Sequence, residues 1–184
     1  MSFDINSQEM SFLLEIARNA IKSSLDKSPF IIPPVPEGLN FKSGCFVTLY
    51  LNGRLRGCIG NFRNDMNIVK NIADMAVQAA LKDPRFPPVS QGEFDALEFE
   101  ISVLSPMIPI KSVEEAEVGR DGLYVVKGFN CGVLLPQVAT EYGWDKYEFI
   151  SHTCAKAGLS FDAWKTDDIE LYRFEAVVFG EKSV

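Results

Sequence analysis

Cys58 stands between Gly57 and Gly60, two positions after Arg56 and four after Arg54. A thiol in that setting has two readings. In the first, glycine-flanked backbone lets another molecule approach, main-chain N–H groups bind an anion, and nearby guanidinium groups favour the nucleophilic thiolate. Period-two alternation along a strand places Arg54, Arg56 and Cys58 on one side. Cys58 is then an activated nucleophile, Arg56 holds charge, and the N–H groups of Gly57 and Gly60 stabilise an oxyanion. In the second reading Cys58 is a small buried hydrophobe and the glycines serve backbone geometry alone, because free cysteines are among the most buried residues.

His152 is the sole histidine, so any Cys–His pair must join Cys58 to His152. On a helix it falls off the stripe Tyr147, Ile150, Cys154 and Ala157, at the edge of the buried face. There it serves as a base or as an ordinary surface residue. The segment Asp83-Pro84-Arg85-Phe86-Pro87-Pro88 is stiff, and it either aims Arg85 into a cleft or fastens itself through Asp83 and Arg85. Gln137, in Leu135-Pro136-Gln137-Val138 at the end of a strand and the start of a turn, is a polar contact or a backbone-fixing residue.

One histidine and four dispersed cysteines lack the paired spacing of a structural zinc site, so no metal is expected. No phosphate loop, dinucleotide fingerprint, His-Glu-x-x-His helix or Gly-x-Ser-x-Gly elbow occurs, and the cofactor stays unassigned.

The elements that would position these groups follow from periodicity. Ser7 can cap a helix whose residues Met10, Leu13, Leu14, Ala17, Ile21 and Leu25 recur at spacings of three and four. Four prolines in residues 28–38 force an extended connector, with Phe30, Ile31 and Ile32 fit to pack. Residues 45–51 and 55–59 flank Asn52-Gly53, the strongest short hairpin signal, which puts Cys58 at the far end of the second strand. A helix is predicted over residues 67–82, ending at Asp83-Pro84. Residues 96–104 alternate as a strand with one buried face. Ser112 with Glu115 and Asp145 with Glu148 form capping boxes, the latter opening a helix over residues 146–157. A second hairpin is predicted over residues 123–135, and a last strand over residues 169–179. Hairpins interspersed with separate helices indicate α+β rather than a βαβ series.

The chain of 184 residues fits one domain or two subdomains, with 47% hydrophobic and 23% charged residues. Its formal net charge of −7 argues against a nonspecific nucleic-acid coat or an anionic membrane surface as the main partner. The cysteines read as reduced thiols. No charged-then-apolar leader opens the sequence and no apolar run approaches about 20 residues, so a cytoplasmic setting is expected.

The string Arg54-Leu55-Arg56-Gly57-Cys58-Ile59-Gly60 resembles the signature of the AMMECR family. Phe46-Val47-Thr48-Leu49, residues 83–88, Leu135-Pro136-Gln137-Val138, Gly143-Trp144-Asp145 and Lys156-Ala157-Gly158-Leu159 fall in that family's order, spanning residues 46–159. The resemblance implies an α+β body of two unequal subdomains, each a mainly antiparallel sheet with helices, with a groove between them. The larger would hold both chain ends and the smaller would be inserted. It also implies a functional segment at residues 55–60, a functional link to Memo-like and radical-SAM proteins, and a biochemistry that is unsettled. An enzyme acting through Cys58 on a small anionic or peptide-like substrate is one expectation. A non-catalytic module binding a protein or small ligand is the alternative, and a translation- or nucleic-acid-associated factor is the third.

Overall fold

The computed structural model describes residues 4–62 and 64–181. The chain divides into two units: the residues up to Leu104 together with those from Val177 onward, and Ser105–Ala176. Both are built of antiparallel strand pairs and helices, an α+β architecture.

In the first unit, helix α1 (Ser7–Leu25) is capped by Asn6 rather than Ser7. The Asn6 side chain accepts from the Glu9 amide, and the Glu9 carboxylate accepts from the Asn6 amide, closing a capping box one residue earlier than the spacing suggests. The expected stripe of Leu13, Leu14, Ala17 and Ile21 is buried, widened by Ile16 and Ala20. In the proline-rich connector Phe30 packs against the core, whereas Ile31 and Ile32 are exposed, contrary to the expectation that all three pack.

Strands β1 (Cys45–Leu51) and β2 (Arg54–Asn61) form the predicted hairpin, and Asn52 and Gly53 both take positive φ (52° and 74°), as a type I′ turn requires. Helix α2 (Ile68–Leu81) starts at its Asn67 cap and stops before Asp83-Pro84 as expected. A short helix α3 (Gln91–Phe94), invisible to periodicity at one turn, leads into β3 (Leu97–Leu104). β1 lies between β2 and β3, and the end of β7 (Glu170–Gly180) runs beside β3, so β2 is an edge strand. Cys45, Val47 and Leu49 of β1 are buried under α2 with Phe99, Ile101 and Val103 of β3, while Phe46, Thr48 and Tyr50 alternate onto the open face.

The hairpin is not regular. Leu51 pairs with Arg54 and Tyr50 with Leu55, but Leu49 then pairs with Gly57, leaving Arg56 as an extra residue in β2. Such a bulge turns two successive residues to one side, and Arg56 and Gly57 are accordingly both buried. Arg54, Arg56 and Cys58 therefore do not share a face as strict alternation predicts. Beyond the bulge Val47 pairs with Ile59 and Thr48 with Cys58, which puts Cys58 on the open face.

In the second unit β4 (Ile108–Ile110) pairs with β7, β7 with β5 (Asp121–Lys127), and β5 with β6 (Asn130–Leu134). The Ser112–Glu115 capping box closes only a 3₁₀ turn. Leu135-Pro136-Gln137-Val138, read as a strand end and the start of a turn, instead opens helix α4 (Pro136–Tyr142), because Pro136 occupies the first helical position, where its missing N–H costs nothing. Helix α5 (Lys146–Lys156) is capped by Asp145 as predicted, but its buried stripe is Phe149, Ile150, Thr153 and Cys154, with Tyr147 exposed. These pack with Leu123, Val125 and Leu171. Among the described residues no helix is long and apolar enough to cross a membrane.

Gly57 has the least room of any residue at the bulge: a Cβ there would lie 2.2 Å from the carbonyl oxygen of Ala79 in α2. Gly57→Ala should lower stability in urea by about 1–3 kcal/mol, because strand and helix backbones must part. Gly92→Ala, with nothing within 4 Å, should change it by less than about 0.5 kcal/mol. Equal stabilities would show that the strand–helix approach is not this tight.

Candidate functional site

An edge strand exposes main-chain N–H and C=O groups, and at Cys58 both are taken by one loop. Cys58 N donates to Asp83 Oδ2 at 2.9 Å, and Arg85 Nη2 donates to Cys58 O at 3.1 Å. The loop is itself tied together: Asp83 Oδ2 accepts from Arg85 Nη2 (2.7 Å), while Oδ1 accepts from Arg85 Nε (3.0 Å) and N (3.1 Å). Asp83 and Arg85 thus act as a substitute neighbour strand for one residue. Because these two Cys58 groups point away from β1, the Thr48–Cys58 pair is of the non-hydrogen-bonded kind, in which side chains stand closest. The Thr48 hydroxyl accordingly donates to Cys58 Sγ at 3.2 Å.

The thiol is half-buried, unlike Cys45 and Cys154, which are fully buried, and Cys131, which is exposed. Burial pushes the Cys45 thiol far above the ordinary range. Beside Cys58 on the open face, Phe46 lies across Gly60, where a Cβ would meet its ring at 2.3 Å, and Phe46 packs edge-on to Phe62 at 5.2 Å. Both glycines flanking the thiol are therefore occupied by packing, Gly57 by α2 and Gly60 by an aromatic ring.

The two arginines of the sequence reading separate. Arg56, only 9% exposed, donates from Nε and Nη2 to the two oxygens of Glu93 (2.9 and 3.2 Å) and from Nη1 to the Pro87 carbonyl (2.9 Å). That fork holds the Glu93 carboxyl down to about 2, helped by the Ser90 amide. Arg56 is thus a bidentate fastener. Arg85 is the one brought to Cys58, with its side chain 54% exposed and Nη1 free of hydrogen bonds among the described residues.

His152 and Gln137 lie in the second unit. The His152 ring is stacked on Trp144, with centroids 3.8 Å apart and planes 4° from parallel, and meets Phe161 edge-on at 5.1 Å. Gln137 sits in the first turn of α4, and its Oε1 is buried without a hydrogen-bond partner among the described residues. Thr48, Asp83 and Glu93 escaped the sequence reading as site residues. Asp83 carried a signal as a fastener of its loop, and Thr48 only as part of a matched family motif.

Comparison with known proteins places the chain. The AMMECR1 family model matches residues 14–179, and the chain belongs to that family. It is 43% identical to Protein MJ0810 of Methanocaldococcus jannaschii over 182 residues, covering 95% of this chain and 90% of that protein. A protein of Thermococcus gammatolerans is 43% identical over 192 residues, covering 98% and 94%. The crystal structure of uncharacterized protein PH0010 from Pyrococcus horikoshii superposes with a TM-score of 0.88 at 42% identity, covering 98% of this chain and 95% of that one.

Asp83 carries the clamp. Hydrogen bonds from the Arg85 guanidinium, then from the Cys58 and Arg85 amides, hold its carboxyl well below the usual carboxylate range against a burial that pushes it up. A depressed carboxyl stabilises the fold above its unfolded pKa, and that contribution disappears as pH falls through the folded value. Asp83→Ala should cost about 2–3 kcal/mol at pH 7, since it leaves the Cys58 amide unpaired and Arg85 without its carboxylate. The gap between wild type and variant, followed by urea unfolding, should narrow as pH drops below about 4. A gap independent of pH would show that the ionised carboxylate is not what clamps the strand.

Proposed function

We propose that this AMMECR1-family chain is an enzyme whose first unit presents Cys58 as a nucleophile toward a small anionic or peptide-like substrate. The observation that carries the reading is the accessible thiol with a hydroxyl donor at 3.2 Å on a strand clamped through its own main chain. Thr48 orients the sulfur and stabilises charge that moves through it during attack. Arg85 supplies the anion contact through Nη1, which is open while the rest of the guanidinium is anchored. The reaction class is acyl or group transfer, or hydrolysis through a covalent thioester-type intermediate. Arg56 and the glycines position the strand rather than touch substrate, and the Cys58 amide, engaged by Asp83, does not serve an oxyanion.

A second reading is favoured by that same engagement. With Cys58 N, Gly57 and Gly60 all filled, the open face serves equally as a preformed binding surface in which Arg85 recognises a partner and the thiol is a packing contact.

Native-state alkylation resolved by peptide mass spectrometry separates the two. Cys131 should label as an exposed reference, Cys45 and Cys154 only on unfolding, and Cys58 in the folded protein. Thr48→Val should change the Cys58 rate about three-fold or more while leaving Cys131 unchanged. A Cys58 that labels only on unfolding, or at a rate indifferent to Thr48→Val, removes the nucleophile reading and leaves the binding surface.

A further inference from the structure

In the second unit, outside the thiol site, four rings form one continuous ladder. Gly143 ends α4 in a left-handed turn (φ +67°), which sets Tyr142 and Trp144 side by side at 4.8 Å and 16°. Trp144 lies flat on His152, and His152 meets the ring of Phe161. The inner rings, Trp144 and His152, are half-buried against α5, and packing accounts for them. The end rings are another matter. Tyr142 is 68% exposed and Phe161 55% exposed, so both present aromatic surface to water. Large exposed aromatic rings on a folded protein mark candidate binding surfaces, and Tyr and Trp dominate the energetics of such surfaces.

Charge decides what the ladder fits. Glu141 adjoins Tyr142 and Asp162 adjoins Phe161, and both are exposed. Neither carboxylate is hydrogen-bonded or ion-paired among the described residues. Glu148, also exposed, lies one turn before His152 and caps the Asp145 amide. The charges on these segments are Glu141, Asp145, Glu148 and Asp162 against Lys156 and Lys165, with Lys146 paired to Glu114. Four carboxylates against two such ammonium groups leave the ladder in a negative field. A nucleic-acid strand would stack on the rings but bring phosphates against Glu141, Glu148 and Asp162. An arginine side chain satisfies both features at once, because its planar guanidinium stacks on an aromatic face and forks onto carboxylates.

We propose that the Tyr142–Trp144–His152–Phe161 ladder is a docking surface for an arginine-rich segment of a partner protein, seated on the exposed end rings and neutralised by Glu141 and Asp162. The surface stands independently of any chemistry at Cys58.

Isothermal titration of the full chain with a capped tetra-arginine peptide tests it, with a capped tetra-glutamate peptide and a decathymidylate strand as competitors for the assignment. The arginine peptide should bind saturably below about 1 mM, and the other two should not. Tyr142→Ala and Phe161→Ala, which leave the net charge untouched, should each weaken binding about five-fold or more. The double variant Glu141→Gln, Asp162→Asn should weaken it as well. Urea unfolding of each variant confirms that the exposed rings were removed without loss of the fold. Absence of saturable binding overturns the proposal, as does binding that survives both ring substitutions, which would mark simple attraction to an acidic protein. Tighter binding of the oligonucleotide than of the peptide overturns it in favour of base stacking.

Discussion

The extra residue at Arg56 decides which side of the sheet the thiol lies on. A regular two-residue hairpin closed at Asn52-Gly53 would pair Val47 with Cys58, and directly opposed residues share a face. Val47 is fully buried under α2, so in that register Cys58 would be one more core residue. The bulge shifts the pairing by one, sets Thr48 opposite Cys58, and turns the sulfur to the open face. Because side chains alternate with a period of two, a single-residue shift inverts everything beyond it. The bulge is held from both sides: the Arg56 fork is locked onto Glu93 and the Pro87 carbonyl, and Gly57 lets the strand backbone reach Ala79. A larger residue at position 57 or a shorter one at 56 would remove a support for the inverted register.

The Asp83–Arg85 loop answers a different problem. An edge strand with unpaired main-chain groups invites another strand, and at Cys58 the invitation is withdrawn by a carboxylate that accepts and a guanidinium that donates. The device does more than cover the edge. It fixes the backbone of the residue whose side chain is the candidate group, leaving the thiol only its side-chain torsion to vary. It also explains why the loop combines an Asp, an Arg and three prolines. Proline stiffness keeps the two charged groups at the spacing of a strand's own N–H and C=O, which flexible residues would reach only at an entropic cost.

Elements governed by local rules were legible: the Asn-Gly hairpin, the Asn67-initiated helix, the alternating strand β3 and the Asp145 capping box all stand as expected. Two departures are themselves local, a choice between competing signals a few residues apart. Asn6 and Ser7 are both competent caps, and only the Glu9 side chain selects Asn6. Pro136 reads as a break, yet opens a helix because it falls at the first position. At the candidate site, Cys58 and Arg85 were singled out from residue type and motif. Arg56 was singled out too, but for a role its ion pair does not leave open. Thr48 lies in a matched family motif but had no signal as a neighbour of the thiol, since it becomes one only through a bulge that no turn or propensity announces. The ring ladder was equally hidden, because Tyr142, Trp144, His152 and Phe161 meet through a glycine turn and a helix end rather than a common period.

The two units apply opposite electrostatic logic to comparable problems of exposure. Beside Cys58 two charge pairs are closed, Arg56 with Glu93 and Arg85 with Asp83, and Arg85 Nη1 carries no hydrogen bond among the described residues. Around the rings the neighbouring carboxylates Glu141 and Asp162 are left without partners. An unpaired surface carboxylate is cheap in water, and a surface ion pair adds about 0–1 kcal/mol at most, so stability alone gives little reason for either arrangement. The distinction lies in what each surface can receive. A paired site with one open donor would select a ligand by geometry, whereas an aromatic surface with open acceptors would select one by charge and stacking.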